Sequence, residues 1–413
     1  MRNYLLLFLS LILIFAGFQS CKKESIVEKD FSLADRQMRS MLASLGESSK
    51  LPRSILPDGA LDTVGIKDWT SGFFPGALWY MYEYTNDNFW KTAAEKNSEK
   101  LLPIQHYTEH HDVGFMMYCS YGNGYRLTNN ESYKDILVNS AKSLSTRFRE
   151  NAGIIQSWDF SRSWGGEPWH CPVIIDNMMN LELLFFASKI TGDSLYRNIA
   201  VSHANKTMEN QVRKDYSCFH VVNYDTITGK ATGKGTRQGF TDNSAWARGQ
   251  GWAIYGFTMV YRETGDKKFL DLARKMADFY INHPNLPEDG IAYWDFNVDQ
   301  PGYTPQWNYT PGQYKEIPRD ISAAAIVASG MLELSTHLGE EGQSYFVFAE
   351  KMLNSMSTRY TFKNGDNHHF ILNHSVGNYP QHSEIDVPLV YADYYYLEAL
   401  LRYKKIQEKK PVI

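Results

Sequence analysis

Between Trp252 and Tyr261 nearly every position is apolar, whereas Phe269, Leu272, Ala273, Met276 and Phe279 form a stripe at helical spacing. A helix that is apolar all round is buried, and one with a single apolar stripe lies at the surface. Thr264-Gly265-Asp266 joins the two, with Phe269 three residues beyond the turn. The arrangement recurs upstream as Thr85-Asn86-Asp87 before Trp90, Thr128-Asn129-Asn130 before Tyr133, and Thr191-Gly192-Asp193 before Tyr196. Leu338-Gly339-Glu340 before Tyr345 is a looser copy. Gly or Asn after a helix takes up left-handed backbone, and an Asp or Asn behind it accepts N–H bonds from the next helix. Five hairpins of an inner and an outer helix are therefore predicted.

Two helical stretches remain, at 31–45 and 388–403. Paired as a sixth hairpin they close a ring, which buries both ends and needs no capping repeat. The predicted fold is all-α, one (α/α)6 toroid of six hairpins spanning 31–405, with 406–413 as a tail. Strand-like composition is confined to loops such as 220–225 and 291–295, and no linker marks a second domain.

The first residues read differently. Arg2 precedes an apolar run from Leu5 to Phe18, too short for a comfortable membrane span and of the length of a signal peptide. The run ends at Ser20-Cys21-Lys22-Lys23, which resembles a bacterial lipobox, although Gln19 is unusual there. A signal peptide over 1–20 and a lipidated Cys21 on a tether over 21–30 are expected, making the protein an exported, membrane-anchored lipoprotein of the periplasm or cell surface. Cys119, Cys171 and Cys218 are read as buried thiols with room for one disulfide, and their spacing fits no zinc site.

Composition narrows the class of partner. The 413 residues carry a net charge of −4 with no basic run, which argues against nucleic acid. The aromatic share is high, 14%, with 10 Trp and 27 Tyr. A core absorbs many rings, but a cleft lined with them suits sugars, whose C–H faces pack on aromatic planes.

In a toroid the inner helices begin at one rim, so their first residues surround one pocket. Those starts read Trp69-Thr70-Ser71, His111-Asp112-Val113, Ile175-Asp176-Asn177, Asp242-Asn243-Ser244, Arg319-Asp320 and Asp386-Val387-Pro388. Each offers a polar cap, and capping is the ordinary reading of any one of these Asp residues. Asp112 and Asp176 differ in having apolar neighbours, which raise a carboxyl's pKa, while a helix N-terminus lowers it. A second carboxylate nearby would divide the two roles. The stretch 238–252, QGFTDNSAWARGQGW, places Arg248 and Trp252 on one helical face. These are either substrate groups or an Arg paired with a cap carboxylate beside a core Trp.

WTSGFFPG, HDVGFMMYCSYGNG, IIDNMMNLELL, HANKTMENQ, SAWARGQGWAIYGF, RDISAAAIVASGMLEL and DVPLVYADYYYLEALLR, in that order from about Trp69 to Arg402, resemble glycoside hydrolase family 88, the unsaturated glucuronyl hydrolases. The resemblance implies an (α/α)6 toroid with Asp176 as general acid/base and Asp112 as second essential carboxylate. It further implies substrate contacts from Trp69, His111, His203, Gln238, Arg248 and Trp252, while Trp158 and Trp164 both fit a remaining aromatic platform. The substrate would be an oligosaccharide whose non-reducing end is a 4,5-unsaturated uronic acid, with glycosaminoglycan fragments leading. Removal by hydration of the enol ether needs no metal or redox cofactor. Competing readings are an unsaturated rhamnogalacturonyl hydrolase, an inverting glycosidase on saturated sugars, and a non-catalytic glycan-binding lipoprotein. Loops at 297–316 and 363–384 are expected to tune sulfate tolerance. The His368, His369, His374 and His382 group in the second matches no standard ligand spacing.

Overall fold

The computed structural model describes residues 25–363 and 369–413, and among these described residues thirteen helices organise the fold. They are α1 (Ile26–Leu45), α2 (Phe73–Thr85), α3 (Asn88–Glu99), α4 (Val113–Met117), α5 (Asn123–Thr128), α6 (Glu131–Ser145) and α7 (Leu181–Thr191). Then follow α8 (Ser194–Asn210), α9 (Ala247–Thr264), α10 (Lys267–Asn282), α11 (Ile321–His337), α12 (Gly342–Ser355) and α13 (Val390–Gln407). A π-helical turn, Tyr118–Gly122, joins α4 to α5, and a 3-10 turn, Ile175–Asn180, leads into α7.

The inner segments α2, α4–α5, α7, α9, α11 and α13 pack side by side in that order, and α13 returns to α2 to close the ring. Outer helices α3, α6, α8, α10 and α12 each back the inner segment before them, while α1 lies against α2 and α13. The apolar pattern explains the layering. Every residue of α9 from Ala247 to Val260, of α11 from Ile321 to Leu334 and of α13 from Val390 to Tyr403 is buried. The outer α10 buries one stripe, including Phe269, Leu272, Ala273 and Met276. The turn chemistry is as expected. Asn86, Asn129, Gly192 and Gly265 are left-handed, and Asp87, Asn130, Asp193 and Asp266 accept N–H bonds from the helix that follows.

Some boundaries differ from the sequence reading. Helix α1 starts at Ile26, because Ser25 and Glu28 form a reciprocal capping box. Residues 26–30, expected in a tether, are therefore helix, and buried Asp30 accepts a 2.6 Å bond from the Tyr396 hydroxyl of α13. At the other end α13 runs to Gln407, past the expected limit of 405. The fold is also not purely helical: among the described residues eleven short strands form small antiparallel sheets. The largest pairs Pro172–Ile174, Val221–Tyr224 and Ala231–Gly235. Cys119, Cys171 and Cys218 are buried and unpaired with one another. The expected signal peptide, Cys21 and His368 lie outside the described residues. Among the described residues no helix is long and apolar enough to cross a membrane.

Candidate active site

Helix capping does not consume the two carboxylates. Of the expected polar caps only Asp320 acts as one, its Oδ1 accepting from Ser322 N and Ala323 N at 3.1 and 3.3 Å. Helices α2, α4, α7, α9 and α13 begin without a side-chain cap bond, even though Asp112 sits at the N-cap position of α4. The start of α4 is served instead by Asn180, whose Oδ1 accepts from Phe115 N at 2.9 Å. Asp112 and Asp176 thus spend no oxygen on capping, and their side chains are 12% and 8% exposed.

Asp176 is delivered by the three-stranded sheet. Strand Pro172–Ile174 pairs with Val221–Tyr224, and just beyond the paired residues Ile175 N donates to His220 O at 2.9 Å. This brings His220 Nε2 to 3.8 Å from Asp176 Oδ2. Arg237 N and Gln238 N donate to His220 Nδ1 at 3.1 and 3.2 Å, which leaves the ring proton on Nε2. Burial, with Arg248 and Arg237 nearby, holds His220 neutral. Burial also pushes the Asp176 carboxyl up to about 7; Arg248 and the Trp252 indole N–H oppose this, and the Asp112 charge adds to it. Asp176 therefore holds a proton near neutrality and can deliver it.

Asp112 is held the other way. Burial alone would raise its pKa, but His111, His110 and Arg147 outweigh that and keep it below the ordinary carboxylate value. His110 Nδ1 lies 3.2 Å from Oδ2, and His111 Nε2 lies 3.4 Å from Oδ1 without the alignment of a hydrogen bond. Asn180 fixes the His111 tautomer. Its oxygen is taken by Phe115 N, so its amide N–H group, at 3.5 Å, faces His111 Nδ1 and leaves the imidazole proton on Nε2 toward Asp112. Burial lowers the His111 pKa to about 4, so the ring is neutral near pH 7. One carboxyl is thus held up near 7 and the other held low, the division of pKa values that acid/base chemistry requires.

The residues expected to touch substrate divide into two groups. Trp69 and Gln238 are partly exposed at the rim. Trp69 packs edge-on to Phe73 and Phe115 and lies 4.9 Å from the Tyr391 ring. Arg248, Trp252 and His111 instead lie beneath it. Arg248 is buried, donating to Asp320 Oδ2 at 2.8 Å, to Gln238 Oε1 at 2.7 Å, to Gly377 O at 2.6 Å and to Val376 O. Arg248 thus pairs with the cap carboxylate Asp320 and holds the Gln238 side chain at the rim. Trp252 is fully buried against Phe115 and Tyr395, so it is a floor and not an open stacking platform.

His203 is the clearest correction. It sits on the outer helix α8, fully buried, where its Nδ1 accepts from Ile155 N at 3.0 Å while Asn177 Nδ2 donates to Ile155 O. It braces the wall behind Asp176, and the histidine that faces Asp176 is His220. The signal that would have found His220 is strand pairing, since only the register of Pro172–Ile174 with Val221–Tyr224 reveals the contact. Of the two aromatic candidates, Trp164 carries the Arg237 guanidinium 4.3 Å above its ring, and Trp158 packs by Trp169 and Ile174. The loop histidines find separate neighbours. His369 meets Ser40, His374 meets Asp386 at 2.7 Å and His382 lies by Trp307. Among the described residues no three His, Cys, Asp or Glu side chains are gathered to hold a metal.

Comparison with known proteins places this geometry. Residues 54–397 match the model of Glycosyl Hydrolase Family 88. The chain is 46% identical over 387 residues to the unsaturated glucuronyl hydrolase of Formosa agariphila, covering 93% of this chain and 92% of that one. It is 33% identical to the unsaturated chondroitin disaccharide hydrolase of Streptococcus agalactiae, covering 92% of each. A solved unsaturated glucuronyl hydrolase specific for heparin superposes with a TM-score of 0.84 at 45% identity, covering 93% of this chain and 98% of that one.

Proposed function

The chain belongs to glycosyl hydrolase family 88, and from that premise we propose that it removes a 4,5-unsaturated uronic acid from the non-reducing end of glycosaminoglycan-derived oligosaccharides. The observation that carries this reading is the split between the carboxyls, Asp176 at about 7 and Asp112 held low. Asp176 gives its proton to carbon 4 of the enol ether, and positive charge grows at carbon 5 and the ring oxygen. The Asp112 carboxylate stabilises that charge at close range in a site sheltered from water. Water then adds to carbon 5 while Asp176 takes back a proton, so the acid is regenerated. The hemiketal opens and the link to the next sugar breaks. The anomeric carbon is not attacked, so the separation of the carboxyls does not report inversion or retention. The neutral His220 N–H and the Trp252 indole N–H face Asp176 and support it as it passes through the anion.

The test is the ultraviolet absorbance of the conjugated double bond in unsaturated heparin and chondroitin disaccharides. The chain lacking residues 1–20 should bleach it, and Asp176→Asn should lose nearly all turnover, on the order of a thousandfold or more, while still binding the disaccharide. Full activity in that variant defeats the assignment. Inertness towards every lyase product shifts the weight to a glycan-binding role.

We also infer that the chain is exported and tethered through a lipidated Cys21, on the support of the apolar run Leu5 to Phe18 and the Ser20-Cys21 junction. Wild-type chain should incorporate labelled palmitate and sediment with membranes, and Cys21→Ser should do neither. Equal sedimentation of both removes the anchor from the account.

A further inference from the structure

Arg53 lies on the strand Leu51–Ile55 between α1 and α2, apart from every residue placed above in the reaction. Its guanidinium spans two separate segments of the rim. Nε and Nη2 donate to Glu384 Oε1 and Oε2 at 2.6 and 2.8 Å, and Nη1 donates to Asp68 Oδ2 at 2.8 Å. All three side chains are mostly buried, at 21%, 11% and 24% exposed. A planar fork meeting one carboxylate with two bonds and a second with another is geometry a lysine cannot reproduce.

Each carboxylate governs a different side of the mouth. The remaining oxygen of Asp68 accepts from Thr70 N and the Thr70 hydroxyl at 2.9 and 2.6 Å, so it holds the turn that presents Trp69. Glu384 belongs to the hairpin of Ser375–Asn378 with Ser383–Val387, where its backbone is left-handed at φ 55°. Its carboxylate lies so close over Gly377 that a Cβ there would stand 2.4 Å from Oε2. The Gly377 carbonyl in turn accepts from Arg248 Nη2 at 2.6 Å, and the same nitrogen donates to Gln238. One guanidinium thus connects Trp69 to the Arg248–Gln238 pair.

We propose that Arg53 is a positioning residue that sets the distance between Trp69 and Gln238 across the sugar-binding mouth, an inference that rests on the reaction proposed above. A fork that merely stiffened the fold would, when lost, lower stability and leave substrate affinity alone. One that sets the mouth changes affinity, because small displacements of binding groups weaken every contact made across them.

The experiment uses the chain lacking residues 1–20, labelled with fluorotryptophan, with the Trp69 line assigned by Trp69→Phe. Arg53→Lys and Glu384→Gln should each move or broaden that line in fluorine NMR. Each should also raise KM by roughly tenfold while kcat stays within about threefold. Should Arg53→Lys fail to fold, Glu384→Gln carries both readouts. An unmoved Trp69 line in a folded variant, or an unchanged KM beside a lowered melting temperature, overturns the proposal. A wild-type chain inert on all unsaturated disaccharides defeats the proposed reaction instead, and the fluorine line still decides the bridge.

Discussion

At the scale of single residues the chemistry turns on which groups oppose ionisation of Asp176. Burial does so most, and the Asp112 charge adds to it, so the acid form persists to about 7. Because kcat/KM follows the free enzyme's groups, it should fall as pH rises through about 7, where Asp176 loses its proton. On the acid side activity should hold until Asp112 takes up a proton, below the ordinary carboxylate value, because ionised Asp112 is the competent form. Asp112→Asn removes a charge that disfavours Asp176 ionisation, so the basic limb should move to lower pH. Its kcat should drop by roughly a hundredfold to a thousandfold, since charge at carbon 5 then goes unstabilised. A pH–rate profile of the variant checks both, and an unmoved basic limb would show that the carboxyls do not communicate. Both aspartates were legible in the sequence as carboxyls among apolar neighbours. Their freedom from capping was not, because a cap and a catalytic acid share the same residue type at the same helix position.

The elements show which local rules carried the fold. Asn or Gly followed by Asp or Asn predicts a helix end and a helix start within three residues, and four of the inner-to-outer turns obey it. Close approach of two inner helices is less visible. A Cβ on Gly76 of α2 would stand 2.5 Å from the Tyr394 ring and 2.6 Å from the Cys119 carbonyl in the π-helical turn. Backbone cannot retreat as a flexible side chain does, so Gly76→Ala should destabilise the chain by about 1–3 kcal/mol through overpacking. The urea midpoint should fall with an unchanged slope. Of the rim strands Val221–Tyr224 showed in the sequence, as the strand-like 220–225, but most of the others escaped it for another reason. Two or three residues per strand, as in Pro172–Ile174, are too few for an alternating pattern to register, and their pairing partner lies far along the chain.

Across the whole molecule the ring is locked by charge as well as by apolar contact. Toward the C-terminal ends of the inner helices, Arg262 of α9 meets Glu182, Glu263 and Glu333, and Arg402 of α13 meets Glu333 at 3.1 Å and Glu398 at 3.6 Å. Arg402 also donates to the Ser329 carbonyl of α11 and the Tyr255 hydroxyl of α9, so one side chain ties three inner helices together. Arg402→Ala takes the cation from buried Glu398 and one of two arginine partners from Glu333, and should cost about 3–5 kcal/mol in chemical denaturation. A loss below 1 kcal/mol would mean that water or a neighbouring cation replaces it. By itself the sequence determined the number of hairpins and which helices are inner and which outer, because periodicity and turn residues are properties of short stretches; it set Asp112 and Asp176 apart only by their apolar neighbours. The tertiary structure decided which polar groups meet. It set His220 rather than His203 against Asp176, paired Arg248 with Asp320 and Gln238, and left the two carboxyls free of helix capping with their pKa values pushed apart. Those outcomes depend on burial and on contacts between residues far apart in the chain, which no local pattern encodes.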